Sequence, residues 1–254
     1  MRSTLVRLTA CAVLVAASAP LAARQAPSVT TTEARTIIDR HLAAIGGAKS
    51  FEGVTSMRAA GTLAMPAQGI TGTVEIKAAR PNKTLLKATI EGIGTLESGF
   101  DGEHGWTIDP MMGPSLLTGK QLDEAKFDAV LESTFLDASR YTSLTAAGTE
   151  TFDGRKAHRV NAVNALGARS AEYFDVETGL HAGSVSTRET AMGPVEVTSI
   201  MRDYRKAGTT LQPHQLVQKM MGVEQVVTLD RIEFNAVGAD AFAMPPAIKA
   251  LIGK

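Results

Sequence analysis

The chain has one cysteine and one tryptophan among 254 residues, and aromatic residues make up only 5%. Cys11 falls in an N-terminal segment that resembles an export signal, so the exported chain is predicted to contain no cysteine. It would then have no disulfide, no thiol nucleophile and no cysteine metal site. Lysine plus arginine and aspartate plus glutamate are both 26, for a net charge of zero. Because nucleic-acid binding needs a basic footprint, this balance argues against such a partner.

Motifs of catalysis and metal binding are also missing. No two histidines have metal-ligand spacing, and His-Glu-x-x-His, Gly-x-Ser-x-Gly and the phosphate-loop Gly-Lys-Ser/Thr do not occur. Carboxylates are scattered over predicted strands without a pair that suggests a glycosidase dyad. We therefore predict a protein that is not an enzyme and holds no metal or cofactor. A hydrolase whose carboxylates assemble across strands stays open as an alternative.

Residues 1–23 have the pattern of a secretory signal, with a basic start, an apolar stretch and an acceptable cleavage site after Ala23. A membrane anchor is disfavoured because the stretch is short of the about 20 residues that a span needs and contains Pro20. Cys11 follows Arg7 too closely for a lipoprotein signal, so lipidation is not expected. We predict a periplasmic protein with a single domain at 24–254.

Turn signals dominate the second half of the chain. After about residue 140, from Asp153-Gly154 to Gly238, they recur at roughly 12–16-residue intervals, and the stretches between them carry strand-type residues. Segment 69–79 alternates apolar and polar residues, which is typical of a strand with one dry face. These patterns predict a mainly β protein with about eleven antiparallel strands in a wide, open sheet. A helix is predicted from Thr32 to about Ile45, and a short one from Pro246 to Ile252.

The strand pattern is interrupted at about 109–141. Two prolines and a glycine between Asp109 and Pro114 preclude a central strand. The apolar pattern from Lys120 to Tyr141 predicts a helix, in which Phe127 and Leu131 are apolar. Because long insertions in a meander are often functional, we interpret this region as a helical lid or plug.

Small residues on the predicted dry face, including Ala59, Ala78 and Ala88, either leave room for an apolar ligand or allow tight packing against helices. The pairs Met111-Met112 and Met220-Met221 suit variable apolar ligands but equally suit gap filling. We interpret Trp106 first as a residue that packs in the core, and second as a ring on which a ligand could stack.

Three short motifs carry a resemblance to a known family. They are Ala79-Arg80-Pro81-Asn82, the run from Asp101-Gly102 through Trp106 to Asp109-Pro110, and Phe242 followed by Pro245-Pro246. In this order, with a preceding signal and helix, they resemble the LolA/LolB family of periplasmic lipoprotein carriers over nearly the whole exported chain.

The resemblance implies an unclosed antiparallel β-barrel of about eleven strands, covered by helices, whose hollow holds acyl chains. It implies that Arg80 controls the opening of the lid through hydrogen bonds to backbone carbonyls, and that the partners are lipoprotein acyl chains or lipid, with membrane-bound donor and acceptor. The resemblance and the residue patterns together predict six ligand-binding or lid-controlling residues: Arg80, Trp106, Met111, Met112, Phe127 and Leu131. The alternative is an envelope scaffold or sensor domain that binds a protein.

Overall fold

The computed structural model describes residues 29–131, 133–190 and 193–252. The predicted signal at 1–23, with its cleavage site and Cys11, lies outside these residues. None of the helices in the described ranges is long and apolar enough to cross a membrane.

The described chain contains three α-helices and fourteen strands. The helices are α1 (Thr32–Ala44), α2 (Gly119–Asp128) and α3 (Pro246–Lys249). The first seven strands are β1 (Val29–Thr30), β2 (Ser56–Met65), β3 (Ile70–Ala79), β4 (Lys83–Ile90), β5 (Gly94–Phe100), β6 (Gly105–Asp109) and β7 (Gly113–Leu116). The others are β8 (Tyr141–Phe152), β9 (Arg155–Asn164), β10 (Arg169–Asp175), β11 (His181–Thr190), β12 (Gly193–Ala207), β13 (Thr210–Met220) and β14 (Val223–Phe234).

All fourteen strands belong to one open sheet, in the order β1-β8-β9-β10-β11-β12-β13-β14-β2-β3-β4-β5-β6-β7. The predicted mainly β, open architecture is confirmed. Every pair is antiparallel except β1 with β8, which is parallel and two residues long. Because β14 pairs with β2, the meander β8–β14 and the meander β2–β7 form one continuous sheet. The strands at its two edges, β1 and β7, are not paired with each other in the described residues.

The predicted count of about eleven strands is too low. One strand that the sequence does not reveal is β1, which is too short to produce a periodic pattern. Another is β7, which contains Pro114. Proline lacks the N–H that a central strand must donate, and β7 accordingly lies at the edge of the sheet. The prolines therefore exclude a central position, as expected, without excluding a strand.

The predicted helix from Lys120 to Tyr141 is wrong in its second half. Helix α2 ends at Asp128, and two short 3₁₀ turns follow, Thr134–Leu136 and Ala138–Arg140. Local side chains compete for the backbone here: the Asp137 carboxylate accepts from the Ser139 N–H at 3.0 Å. Such bonds favour turns over a continuing helix.

Helix α1 forms as its sequence predicts. The Thr31 hydroxyl caps its first turn by accepting from the Ala34 N–H at 3.3 Å. The residues of its buried stripe are Ala34, Ile37, Ile38, His41 and Leu42. They pack against the sheet with Leu144, Val160, Ala162 and Phe174, so α1 covers one end of β8, β9 and β10.

Trp106 anchors the other side of the sheet. It is fully buried with Leu85 and with Phe242 and Ile248 of the C-terminal segment. Its indole N–H donates to Glu97 Oε1 at 3.0 Å. The ring lies flat on Gly99, where an added Cβ would come within 2.3 Å of Trp106 Cζ2.

We expect Gly99→Ala to lower the free energy of unfolding by about 1–3 kcal/mol, because the added methyl overpacks this site. Chemical denaturation followed by the fluorescence of the sole tryptophan measures the effect. The control is the neighbour Ser98→Ala, whose side chain points to the other face and which should change stability by less than about 0.5 kcal/mol. Equal midpoints for both variants would contradict the prediction.

Candidate functional site

One face of the sheet can be traced by its register, because cross-strand partners share a face. The trace runs from Gly105 on β6 through Val74 and Leu229 to Glu172 on β10. We call this the lid face. Trp106 lies on the opposite face.

An apolar cluster occupies the middle of the lid face. Ala59, Val74 and Leu229 at its centre are buried. Aliphatic side chains that surround them remain partly exposed: Ile76, Leu86, Leu216, Val227 and Ile232. The cluster therefore extends over five adjacent strands, β13, β14, β2, β3 and β4, with alanine, valine and leucine at its centre.

The segment 117–140, which we call the lid, connects β7 at one edge of the sheet to β8 near the other. It starts on the lid face at Gly105, whose carbonyl accepts from the Leu117 N–H at 2.8 Å. The Leu117 side chain fills the space that a Cβ on Gly105 would need, with Cδ1 only 2.9 Å away. The absence of a side chain at position 105 thus allows the lid to lie directly on the sheet.

At its other end the lid lies against β10 and β11. A groove of about 200 Å³ separates α2 from the sheet, lined by Phe127 of the lid and by Ser170, Glu172, Ser184 and Arg188. The lid therefore bridges two parts of the lid face, and the register places the apolar cluster between them.

Helix α2 is held only loosely by its own side chains, because none of its ten residues is buried. Arg140, at the end of the lid, makes two contacts to α2. Its Nη2 donates to the Phe127 carbonyl, and its guanidinium lies 4.0 Å from the centre of the Phe127 ring. Arg140 Nε is buried without a hydrogen-bond partner among the described residues. One arginine thus makes both a carbonyl contact and a cation–π contact to α2.

Beside the lid, a buried polar pair holds α1 to the sheet. His181 Nε2 lies 2.9 Å from Glu172 Oε2, and the His181 N–H donates to His41 Nδ1 at 3.2 Å. Phe135 and Phe174 pack against both imidazoles. Burial, and secondarily the charge of His181, lower the pKa of His41 from 6.5 to about 3. His41 is therefore neutral and accepts a hydrogen bond in the folded protein.

Tyr141 closes the same cluster from the first residue of β8. It stacks on Phe135 with ring centres 5.6 Å apart, and its hydroxyl donates to Thr134 Oγ1 at 3.1 Å. Burial raises the pKa of Tyr141 to about 12. The hydroxyl therefore stays protonated, and the contact fixes the 3₁₀ turn of the lid on the strand.

The polar groups of this cluster do not form a nucleophilic triad. Ser170 Oγ donates to Glu172 Oε1 at 2.6 Å, and Glu172 bonds His181 through its other oxygen. Because the carboxylate lies between the hydroxyl and the imidazole, the imidazole is not placed to take the serine proton. Within the described ranges, no three His, Cys, Asp or Glu side chains are grouped so that they could hold a metal ion.

The predicted site residues are distributed over several places. Arg80 follows β3, and its Nε donates to the Val54 carbonyl at 2.8 Å, in the loop before β2. Phe127 and Leu131 lie half-buried in the lid, where Phe127 contacts Arg140. Trp106 is in the core of the opposite face.

Met111 and Met112 lie outside the lid as it is observed. They form the turn of the β6–β7 hairpin and are 87% and 89% exposed. The structure thus brings Phe127 and Leu131 together in one segment and separates them from Trp106 and from the methionine pair.

Sequence reasoning missed Arg140, Glu172 and His181. Arg140 lies inside the stretch that was predicted to be helical, so its position as the attachment of α2 was hidden. His181 and Glu172 are nine residues apart on neighbouring strands and meet only through the β10–β11 register, with its irregularity at Phe174. The sequence signal that could have revealed this pair was a glutamate and a histidine on the two strands of one hairpin.

The fold is LolA-like. The chain superimposes on a LolA superfamily protein from Nitrosomonas europaea with a TM-score of 0.54, 12% identity, and coverage of 83% of this chain and 97% of that one. A DUF1329 family protein from Desulfovibrio piger gives 0.57, with 11% identity over 86% of this chain and 100% of the other. A putative outer membrane lipoprotein-sorting protein domain from Vibrio parahaemolyticus gives 0.52, with 11% identity over 82% and 95%. The predicted resemblance in fold is confirmed.

At these identities the likeness concerns the fold alone. No protein-family model matches the sequence, and no curated protein matches it significantly.

Acidification should destabilise the fold through His41. The folded-state pKa of about 3 lies below the ordinary 6.5, so below pH 6.5 the unfolded chain binds a proton that the folded chain does not. Stability is then lost as the pH falls from about 6.5 toward 3, and the loss at pH 5 should be about 2 kcal/mol. Urea denaturation of wild type and His41→Gln at pH 7 and pH 5 measures this contribution.

The comparison needs a variant that loosens the same cluster without removing a titrating group, and Phe135→Leu provides it. This variant should be less stable at both pH values and should keep the wild-type pH dependence. His41→Gln should have a smaller pH dependence than either. An unchanged pH dependence in His41→Gln would show that His41 is not the group responsible.

Proposed function

We propose that this protein is an exported, periplasmic carrier that binds the acyl chains of a lipid or lipoprotein between the lid and the apolar cluster of the lid face. The observation that carries the proposal is a lid whose helix buries none of its own residues, bridging the ends of a sheet face that has an apolar centre. The LolA-like fold supports it. So does the predicted export signal.

The apolar cluster has the chemistry that an acyl chain requires. Its eight residues are aliphatic, and its five peripheral residues are partly exposed. Burial of each methylene contributes about 0.8 kcal/mol, so a long chain gains useful affinity without specific polar contacts. A low aromatic content is compatible with this site, because aliphatic walls fit flexible chains of varying length.

The lid must move for such a ligand to enter. The two grooves beside α2 measure about 200 and 460 Å³, and no residue of the apolar cluster lines either of them. We therefore interpret this arrangement of the lid as a closed state. Since α2 contributes no buried side chain, opening would expose little apolar surface from the helix itself.

Filling the apolar cluster should abolish loading. Ala59 is buried at its centre, and Ala59→Phe would occupy the space proposed for an acyl chain. We expect the wild-type protein purified from the periplasm to carry acyl species in native mass spectrometry and solvent extracts, and Ala59→Phe to lose them.

The matched control is Ala60→Phe, one residue along the same strand and on the opposite face. It should retain the acyl species. An apo mass for the wild type that does not change when lipids or lipopeptides are added would refute the carrier and favour a protein-binding scaffold. Equal loading of both variants would exclude the lid face as the binding site.

We also propose that Arg140 holds the lid closed. Arg140→Leu removes the carbonyl and ring contacts to Phe127 and should increase amide hydrogen exchange in residues 119–131 by about tenfold, the effect of losing one strong hydrogen bond. Hydrogen-exchange mass spectrometry resolves this segment.

Arg80→Leu is the informative comparison, because the family resemblance assigns lid control to Arg80. Faster exchange of 119–131 in this variant would support that role. Faster exchange confined to the loop around Val54 would restrict Arg80 to the contact described above. Unchanged lid exchange in Arg140→Leu would refute the Arg140 proposal.

A further inference from the structure

The turns of this sheet lie at two ends with opposite chemistry. Because successive strands are antiparallel, consecutive turns alternate between the ends. The pairing of Val226 with Ala64 places the β13–β14 turn at the same end as the β2–β3 turn. The β4–β5, β6–β7 and β9–β10 turns share that end, which we call the apolar rim.

Exposed apolar side chains are concentrated on this rim. The described residues include nine large apolar side chains that are exposed. Two of them, Val29 of β1 and Ile252 of the C-terminal segment, lie outside the rim turns. The other seven lie in or directly beside rim turns: Ile93, Met111, Met112, Leu166, Met220, Met221 and Val223.

The opposite end has polar turns. The β3–β4 turn is Arg80-Pro81-Asn82, the β5–β6 turn contains Asp101-Gly102, and the β8–β9 turn is Asp153-Gly154. A sheet exposed to water at both ends has no need of this difference. The difference therefore points to a surface outside the protein that meets one end only.

Two rim turns are held in shape by a side chain of the preceding strand. The Asp109 carboxylate accepts from the N–H groups of Met111 and Met112 at 2.8 and 2.9 Å. Asn164 Oδ1 accepts from the N–H groups of Leu166 and Ala168, both at 2.9 Å. With their backbone groups satisfied inside the turn, these tips present apolar side chains without unpaired N–H groups.

In the β13–β14 turn, an apolar residue occupies a backbone conformation that it does not favour. Met221 and Gly222 both have positive φ, 51° and 78°. The equivalent turn at the polar end has Asp153 and Gly154, with φ of 49° and 76°. Aspartate and asparagine suit this left-handed position, whereas a bulky side chain is an outlier. The conformational preference of the turn therefore does not explain methionine at position 221, whereas an exposed apolar side chain with a role of its own does.

We infer that the apolar rim docks the protein on a lipid surface by inserting its hairpin tips into the membrane interface. The seven side chains stand on four hairpin tips that are spread from β7 to β9 in the sheet order. Such dispersed, protruding side chains suit insertion among lipids, which adapt to each tip, better than a protein partner, which needs continuous complementary area.

Charge near the tips is compatible with this surface. Lys219 and Glu224, just inside the β13–β14 turn, neutralise each other at 3.2 Å. Without Arg2 and Arg7 of the predicted signal, the exported chain has 24 basic and 26 acidic residues, a net charge of −2. With so small a charge, it should bind neutral and anionic membranes alike, with little dependence on salt.

The rim lies beside the lid. A groove between the start of α2 and the β9–β10 turn is lined by Gly119, Lys120, Leu166 and Arg169. Docking would therefore bring this end of the lid to the membrane. This inference does not require the carrier proposal, because membrane docking and acyl binding use different residues.

Vesicle flotation tests the inference with the protein purified as it is released from the periplasm. The vesicles are phosphatidylcholine alone and phosphatidylcholine with phosphatidylglycerol. Wild type should float with both, and the triple variant Met111→Gln, Met112→Gln, Met221→Asn should bind about tenfold or more weakly, because three large apolar side chains no longer leave water.

The variants are chosen so that weaker binding does not reflect misfolding. Met111 and Met112 are almost fully exposed, and asparagine tolerates the backbone of residue 221 better than methionine. The melting temperature should therefore be kept or raised. The matched control, Ile252→Gln, replaces an exposed apolar residue that is not in a rim turn and should float like the wild type.

Two results would overturn docking through the rim: a wild type that floats with neither vesicle, or a triple variant that floats as well as wild type. A polarity-sensitive dye on an introduced cysteine gives an independent measurement, because the exported chain is predicted to contain no other cysteine. Its emission should shift to the blue on vesicles at Met111→Cys and stay unchanged at Ile252→Cys, and the same response at both positions would count against the rim.

Ala59→Phe separates this inference from the carrier proposal. It should float like the wild type while lacking acyl cargo, whereas the rim variant should keep cargo acquired in the cell if loading does not depend on docking strength. Loss of flotation in Ala59→Phe would contradict a separate docking surface.

Discussion

The continuous strand pairing from β8 to β7, with its few irregularities, is the constraint on which the rest of the structure depends. A single-residue slip in any pair would move the side chains of one strand to the other face. The register places Gly105 and Glu172, nine strands apart in the sheet order, on the same face, and so lets one connecting segment rest on both ends of it. The apolar cluster, the lid and the buried histidines all inherit their positions from this pairing.

Arginines hold the loops to this frame through backbone carbonyls. Arg40 of α1 donates to the carbonyls of Val176 and Glu177 at 2.7 and 2.6 Å, and lies across Gly179. Arg80 holds Val54, and Arg140 reaches the lid. A guanidinium is charged at every physiological pH and offers several donors, so these attachments do not depend on pH. The contact through His41 does, because it requires a neutral imidazole. Helix α1 is thus attached by one pH-independent and one pH-sensitive contact.

Sequence patterns predicted the parts of the fold that local chemistry determines. The strands β3 and β4 follow from alternation, and α1 follows from its cap and apolar stripe. The edge strand β7 was missed because it forms only where β6 offers a free edge of the sheet. The break after Asp128 was missed because it depends on hydrogen bonds between neighbouring residues. The site was harder still. Glu172 and His181 meet through a β-sheet irregularity, and the attachment by Arg140 requires the lid to fold back, so neither appears as a motif.

The two Met-Gly and Asp-Gly turns show how a sequence can carry information beyond folding. Both close a hairpin with the same backbone angles, and the aspartate at 153 satisfies the preference of that turn. Its carboxylate also pairs with Arg202 at 2.5 Å, which ties the polar end together. At the other end Met221 contributes neither a favourable backbone nor a polar partner, and its side chain is 60% exposed. A residue that opposes the local conformational preference and projects into solvent requires an explanation outside the folded chain. Contact with an external apolar surface is such an explanation, and it applies equally to the five other rim positions with more than 40% exposure.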